Sequence, residues 1–155
     1  MEQGALAGGT EQVVVLELAG EAYAVEIGRV QEIIRMQPIT RIPNGPPWIE
    51  GVTNLRGRVI PVLDLRRRLG LPAGQTTRRS RIVVAELGEH TVGLVVDGVS
   101  EVLRVPPEAV EPPSSLVTTA DSVYLRAVAN IGERLVLLLD LSRLLSSAEQ
   151  DDLAA

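Results

Sequence analysis

Residues 54–57 read Asn-Leu-Arg-Gly, and they place Arg56 inside an otherwise apolar run, EGVTNLRGRVIPVLDL, with Pro61 shortly downstream. At the tip of a hairpin a guanidinium offers five donors to a carboxylate or a backbone oxygen of another molecule, so the chemistry on offer is recognition. The catalytic inventory is thin. There is no cysteine, hence no disulfide, thiol nucleophile or thiolate metal site. The single histidine, His90, falls in a Gly-Glu-His-Thr turn where exposure is expected. No G-x-S-x-G elbow, paired histidines, alternating acidic calcium loop or glycine-rich phosphate cradle occurs. Asp64 and Asp140 each end an apolar strand and could form a carboxylate pair. Each also precedes a helical turn, where an Asp cap is worth about 1 kcal/mol, and the appearance of both in matching positions favours architecture. Arg66, Arg67 and Arg68 read as a solvated helical face.

The elements that must position these residues are aliphatic and short. The 155 residues are enough for one ordinary domain or two small fused ones. The apolar content is rich in Val and Leu, with no Phe, one Trp (Trp48) and two Tyr (Tyr23 and Tyr124), so the interior is aliphatic and leans toward strands. A net charge of −5 and a pI near 4.9 disfavour nucleic acid as a partner, because phosphate neutralisation needs a basic face. The opening MEQGALAGGTEQ has no basic-then-apolar leader. The longest strongly apolar run, Leu135 to Leu139, stops at Asp140, far short of the ~20 residues of a membrane span. A soluble cytoplasmic protein is expected.

The sequence is written twice. VVVLEL from Val13 matches IVVAEL from Ile82, and VEIGRVQEIIR from Val25 matches LVVDGVSEVLR from Leu94, both at a spacing of 69 residues (82 − 13 and 94 − 25). Further on the spacing becomes 76 (130 − 54), which carries Asn54 onto Asn130, Arg58 onto Arg134, Asp64 onto Asp140 and Leu65 onto Leu141. Each copy alternates aliphatic runs with turn signals: a first hairpin around AGE or GEH, a strand VQEIIRM or VSEVLRV, a Pro-rich loop, and a second hairpin. Short strands without long helices between them predict two small antiparallel barrels. Segment 66–81 separates the copies; Asp64 caps a helical turn that Gly70 ends, and residues 71–80 form the linker. Asp140 is expected to cap a short C-terminal helix, with frayed tails at 1–11 and 149–155. The barrels are placed at about 12–70 and 81–146, packed on a common core because ~60 residues alone are marginal.

Residues found in one copy only are freer to serve function. The first copy turns on Arg56-Gly57 where the second has Gly132-Glu133, so the turn does not require the arginine. Pro61 stands where the second copy has Leu137. Lacking an N–H, it predicts an edge or a bulge, and thus an irregular rim beside Val30 and Glu32 on which another β-domain could dock.

At these residues the chain resembles the CheW-like chemotaxis coupling proteins. The resemblance runs from about Val13 to Leu145 and rests on GEAYAVEIGRVQEII, ITRIPNGPPWIEGV and NLRGRVIPVLDLRRRLG. It implies two intertwined five-stranded SH3-like barrels, an all-β fold with short helical turns. It also implies an adaptor without enzymatic activity or cofactor, bridging the cytoplasmic tips of methyl-accepting chemoreceptors to the regulatory domain of the histidine kinase CheA. Such a protein would be recruited to membrane-associated receptor arrays, without inserting in the membrane or binding nucleic acid, and with scope for weak self-association. By motif, Arg56 with Asn54 and Gly57 would contact the receptor, and Val30, Glu32, Gly51 and Pro61 would contact the kinase. The aromatic residue usual at the head of the first strand is aliphatic here, and neither the RRSR of the linker nor the acidic tail is a motif position. The same domain in another pathway, such as surface motility, would be a docking subunit of a non-chemotactic kinase. A small-ligand barrel or enzyme using Asp64, Asp140 or His90 is the reading from a different class.

Overall fold

The computed structural model describes residues 9–112 and 124–144. Among the described residues there are eleven strands: β1 (Glu11–Leu18), β2 (Glu21–Glu26), β3 (Val30–Arg35), β4 (Ile49–Leu55), β5 (Arg58–Asp64), β6 (Arg81–Leu87), β7 (His90–Val96), β8 (Gly98–Val105), β9 (Val110–Glu111), β10 (Leu125–Ile131) and β11 (Arg134–Leu139). One four-residue helix, α1 (Leu65–Arg68), follows β5. The strands form two sheets, in the orders β3-β6-β7-β5-β4 and β8-β1-β2-β11-β10-β9. The mostly β, two-bodied architecture is the one expected, although neither sheet closes on itself by a backbone ladder.

The copies exchange strands. The five-stranded sheet combines β3, β4 and β5 of the first copy with the β6–β7 hairpin of the second, and the other sheet joins β1–β2 to β8–β11. Four ladders join the copies: the antiparallel pairs β3–β6 and β1–β8, and two short parallel ones, Val62–Gly93 to Asp64–Val95 and Leu137–Tyr23 to Leu138–Ala24. A division at 12–70 and 81–146 therefore does not coincide with the two sheets. The reason lies in the hairpin strands themselves. In β1, Val13 and Val15 fill one sheet's interior, while Val14, Leu16 and Leu18 face a second core shared with the other sheet. In β6, Ile82 and Val84 do the former and Val83, Ala85 and Leu87 the latter. Strands buried on both faces read as unbroken apolar runs, which is what VVVL and IVVA are. Each fully buried Val or Leu contributes about 1.5–3 kcal/mol, so the shared core holds the two bodies together.

Irregularities repeat with the sequence. The β3–β6 register shifts between Val30 and Glu32, and the β1–β8 register shifts between the residues opposite Glu101 and Val99, bulging Gln31 and Ser100 at equivalent sites. Another such pair lies at Glu50 and Arg126. Asp64 caps α1 through the Arg67 N–H at 3.4 Å. At the other end the Gly70 and Leu71 N–H groups donate to Arg67 and Arg66 carbonyls, with Gly70 at φ +77°. Asp140 accepts from the Ser142 N–H at 3.0 Å, capping a 3-10 turn, Leu141–Arg143. The rest of the expected C-terminal helix and the acidic tail lie outside the described residues.

Two expectations change. β1 begins at Glu11, inside the segment expected to fray, because Arg126 pairs with the buried Glu11 carboxylate. Of the arginines of α1 only Arg67 is exposed; Arg66 and Arg68 are engaged by the rest of the fold. Arg66 grips Asp97 through Nε at 2.9 Å and Nη2 at 2.6 Å. Arg68 stacks on Trp48 and Tyr124, with its guanidinium 4.8 and 5.3 Å from the ring centroids. Trp48 and Tyr124 are equivalent positions of the two copies (124 − 48 = 76), as are Arg68 and Leu144, whose carbonyl accepts from Arg68 Nε at 2.5 Å. One arginine thus stitches the copies together where they meet. The linker itself is fastened: Pro72 accepts from Arg66 Nη1 at 2.9 Å, and Arg79 reaches Glu17 at 2.5 Å.

Candidate functional site: the rim around Arg56 and Glu32

β3 and β4 are the two edges of the five-stranded sheet. Glu32 projects from the first, and Arg56 from the tip of the β4–β5 hairpin. They meet as a bidentate ion pair, Arg56 Nη1 with Glu32 Oε2 and Nη2 with Oε1 at 2.6 Å. The arginine remains 70% exposed and the glutamate 26%. The hydrogen bonds from Arg56 hold the Glu32 carboxyl below the ordinary glutamate range. The pair spans the seam that no ladder closes. A residue assigned by motif to the receptor and one assigned to the kinase are therefore in direct contact.

The other sheet shows what is general here. Glu101, the counterpart of Glu32, lies on edge strand β8 and pairs with Arg134 at the start of β11. Arg134 is the counterpart of Arg58, two residues away from Arg56. Both halves thus span the seam with a carboxylate and an arginine, but only the first takes its cation from the turn. That choice carries strain. Arg56 lies at φ +51° and Gly57 at +86°, so the turn has both corners in the left-handed region, whereas in the second copy only Gly132, at +65°, does. Any side chain with a Cβ is disfavoured there, and such outliers cluster at functional positions. The turn is held by Asn54, whose Oδ1 accepts from the Gly57 N–H at 2.8 Å.

The remaining motif residues divide by depth. Val30 is half-buried and packs on the shared core, two residues before Glu32 across the bulge at Gln31. Pro61 lies in an inner strand rather than at an edge. It is tolerated because the parallel ladder to β7 begins only at Val62, while Leu137 in the second copy joins its ladder to Tyr23. The bulge falls in the partner strand, between Ile49 and Gly51. Gly51 is buried, and a Cβ there would strike the Thr40 carbonyl oxygen, so the structure places it beneath the rim rather than on it. Thr40 makes a two-way backbone bridge to Val52, both bonds at 2.8 Å, which fixes the loop after β3 to the edge of β4.

Exposed aliphatic side chains complete the surface: Ile33 (40%) on β3 and Val59 (67%) on β5, with their counterparts Val102 (51%) and Leu135 (61%) on the other sheet. Sequence reading did not single them out. The available signal was outward apolar residues recurring at the same place in both copies. Of the polar residues suggested for a ligand site, Asp64 and Asp140 are caps, and His90 begins β7 opposite Leu87. None of the three lines the cleft of about 660 Å³ where Arg66, Arg79 and Arg134 are all ion-paired; Asp64 lines a smaller one of about 250 Å³ beside Arg66 and Asp97. Among the described residues no group of three or more His, Cys, Asp or Glu could hold a metal ion.

Paired SH3-like bodies with exchanged hairpins and exposed aliphatic edges define a β-scaffold. The chain belongs to the CheW-like domain family, whose model matches residues 12–149. It is 38% identical over 146 residues to the chemotaxis protein CheW of Klebsiella aerogenes, covering 93% of this chain and 88% of that protein. It is 35% identical over 122 residues to protein FrzA of Myxococcus xanthus, covering 78% and 76%. The crystal structure of the scaffolding protein TtCheW from Thermoanaerobacter tengcongensis superposes with a TM-score of 0.81 at 36% identity, covering 87% of this chain and 92% of that one. A coupling-adaptor role in chemotaxis follows from that membership.

Proposed function

We propose that the chain joins the cytoplasmic tips of methyl-accepting chemoreceptors to the histidine kinase CheA and catalyses no reaction itself. Arg56, with Asn54 and Gly57 shaping its turn, contacts the receptor. Val30 and Glu32 contact the kinase's CheW-like regulatory domain, and Gly51 and Pro61 act by shaping the backbone beneath that contact. The observation that carries this reading is Arg56 itself, kept in a disfavoured conformation, exposed, and bonded to an edge-strand carboxylate. Two weak contacts on one rigid body raise the effective concentration of kinase at the receptor, so neither has to be tight. Because Arg56 and Glu32 share hydrogen bonds, a partner that takes one releases the other, and the two contacts are energetically linked.

The test is capture of purified CheA and of a receptor-tip fragment by the Arg56→Glu variant. Reduced capture of the receptor fragment by about 10-fold or more is expected, as for an interface hot spot, with the melting temperature close to wild type. Undiminished capture of both partners would reject the site. Similarity to FrzA, which is not named for chemotaxis, supports a second reading in which the kinase partner serves another output; capture of a kinase other than CheA distinguishes it.

A further inference from the structure

A second surface, away from the Arg56 rim, carries charge that the fold does not require. Arg35 at the end of β3 and Arg81 at the start of β6 are directly opposed across the antiparallel pair. Like charges in that position are destabilising. With the exposed Arg78 they line a groove of about 440 Å³, completed by Met36, Thr77 and Ser80, with no carboxylate among its lining residues. Arg81 is held in place by donating from Nη1 to the carbonyls of Arg78 and Ser80, each at 2.8 Å. Neither Arg35 nor Arg78 has an ion-pair partner among the described residues, whereas Arg56, Arg66, Arg79, Arg126 and Arg134 all do.

The internal repeat supplies the comparison. At the same spacing of 69 (104 − 35), Arg35 corresponds to Arg104, and the residue opposite Arg104 is Gln12. Arg81 corresponds to Gln12, and the segment Arg78–Arg81 to Gly9-Thr10-Glu11-Gln12. The equivalent corner of the other sheet keeps one arginine, Arg104, but has Gly9 and Gln12 where Arg78 and Arg81 stand, so the backbone does not need those two. All 15 cationic side chains of this chain are arginine, the type whose fork matches carboxylates two oxygens at a time.

We propose that the Arg35–Arg78–Arg81 groove docks a short acidic segment of a partner protein, one presenting two or more carboxylates within a few residues. The chemistry favours a peptide over an anionic membrane, because the chain as a whole is charged −5 and a lipid surface would repel the rest of it. The proposal does not depend on the assignment of Arg56 or Glu32.

The test uses the full chain and a fluorescein-labelled hexapeptide of alternating Asp and Glu, followed by anisotropy at low salt. An Asn/Gln hexapeptide and vesicles of equal phosphatidylcholine and phosphatidylserine serve as comparison probes. The acidic peptide should bind and the neutral one should not. The double variant Arg35→Gln, Arg78→Gln should bind at least 10-fold more weakly, while Arg104→Gln binds as wild type. Arg35→Gln should also raise the melting temperature by relieving the opposed charges. Absence of peptide binding, equal loss in Arg104→Gln, preference for the vesicles, or a lowered melting temperature in Arg35→Gln would each overturn the proposal.

Discussion

At φ +51° Arg56 occupies backbone space that suits glycine, so stability and function make opposite demands on one residue. Arg56→Gly should melt at the same temperature as wild type or higher, yet bind the receptor fragment as weakly as Arg56→Glu; calorimetry beside a binding assay checks both. Glu32 and Asp97 set the acid response. Hydrogen bonds from Arg56 lower the Glu32 carboxyl below its ordinary 4.5. For Asp97 burial pushes upward, but Arg66 and the Ala19 N–H outweigh it and the carboxyl falls below its ordinary 3.8. A carboxyl lowered by folding stabilises the fold above its ordinary value, and that stability is lost as pH falls through the lowered one. Melting temperature should therefore be flat down to about pH 5 and drop below the ordinary carboxyl range. Asp97→Asn should melt lower at pH 7 by roughly 1 kcal/mol of lost charge-assisted bonding and show a shallower acid drop. The exposure of Arg56 could be read from the repeat, because its counterpart is Gly132. Its partner could not: Glu32 is 24 residues away on a strand that meets it only across the seam. Arg66 and Arg68 were misread for the same reason, since their partners Asp97 and Tyr124 belong to the other copy.

Hairpins were legible where the signal is local, whereas the bulges at Gln31, Ser100, Glu50 and Arg126 were not. Turn residues between aliphatic runs located β1–β2, β4–β5, β6–β7 and β10–β11. Pro61 announced a break in pairing, although the break is a shortened inner ladder rather than an edge. Substituting Pro61→Leu copies the second half, where Leu137 is laddered. The denaturant midpoint should hold or rise, because a donor is restored and no contact in the ladder is removed. Gly51 is the opposite case, since a methyl group there would lie on the Thr40 carbonyl. Gly51→Ala should cost about 2 kcal/mol or more, as forced backbone movement does. It should also weaken kinase capture by unpinning the loop after β3, and the loss of midpoint measures the first effect.

Sheet membership was not legible, because it depends on which copy's hairpin each sheet recruits, and the two hairpins carry nearly the same apolar pattern. VVVLEL and IVVAEL satisfy either core equally well at the level of sequence; connectivity decides. If exchange is integral to the fold, cutting the chain between the copies should leave no folded half. Fragments 1–75 and 76–155 are expected to be unstructured separately and to recover strand signal by circular dichroism when mixed, whereas a folded 1–75 fragment would contradict the exchanged topology. Size points the same way, since a half of this length has only a marginal core of its own.

The exchange also sets an order of events during synthesis. The five-stranded sheet needs nothing beyond Val96, so it can assemble as soon as β7 leaves the ribosome. The first hairpin made, β1–β2, has to wait for β8, β10 and β11, the last of which ends at Leu139. Val13, Val15 and Ala24, made early, are among the last to be covered, whereas Val14, Leu16 and Leu18 can already pack on the five-stranded sheet. During that interval the newborn chain presents a sticky N-terminal ribbon to chaperones and to neighbouring chains on the same message.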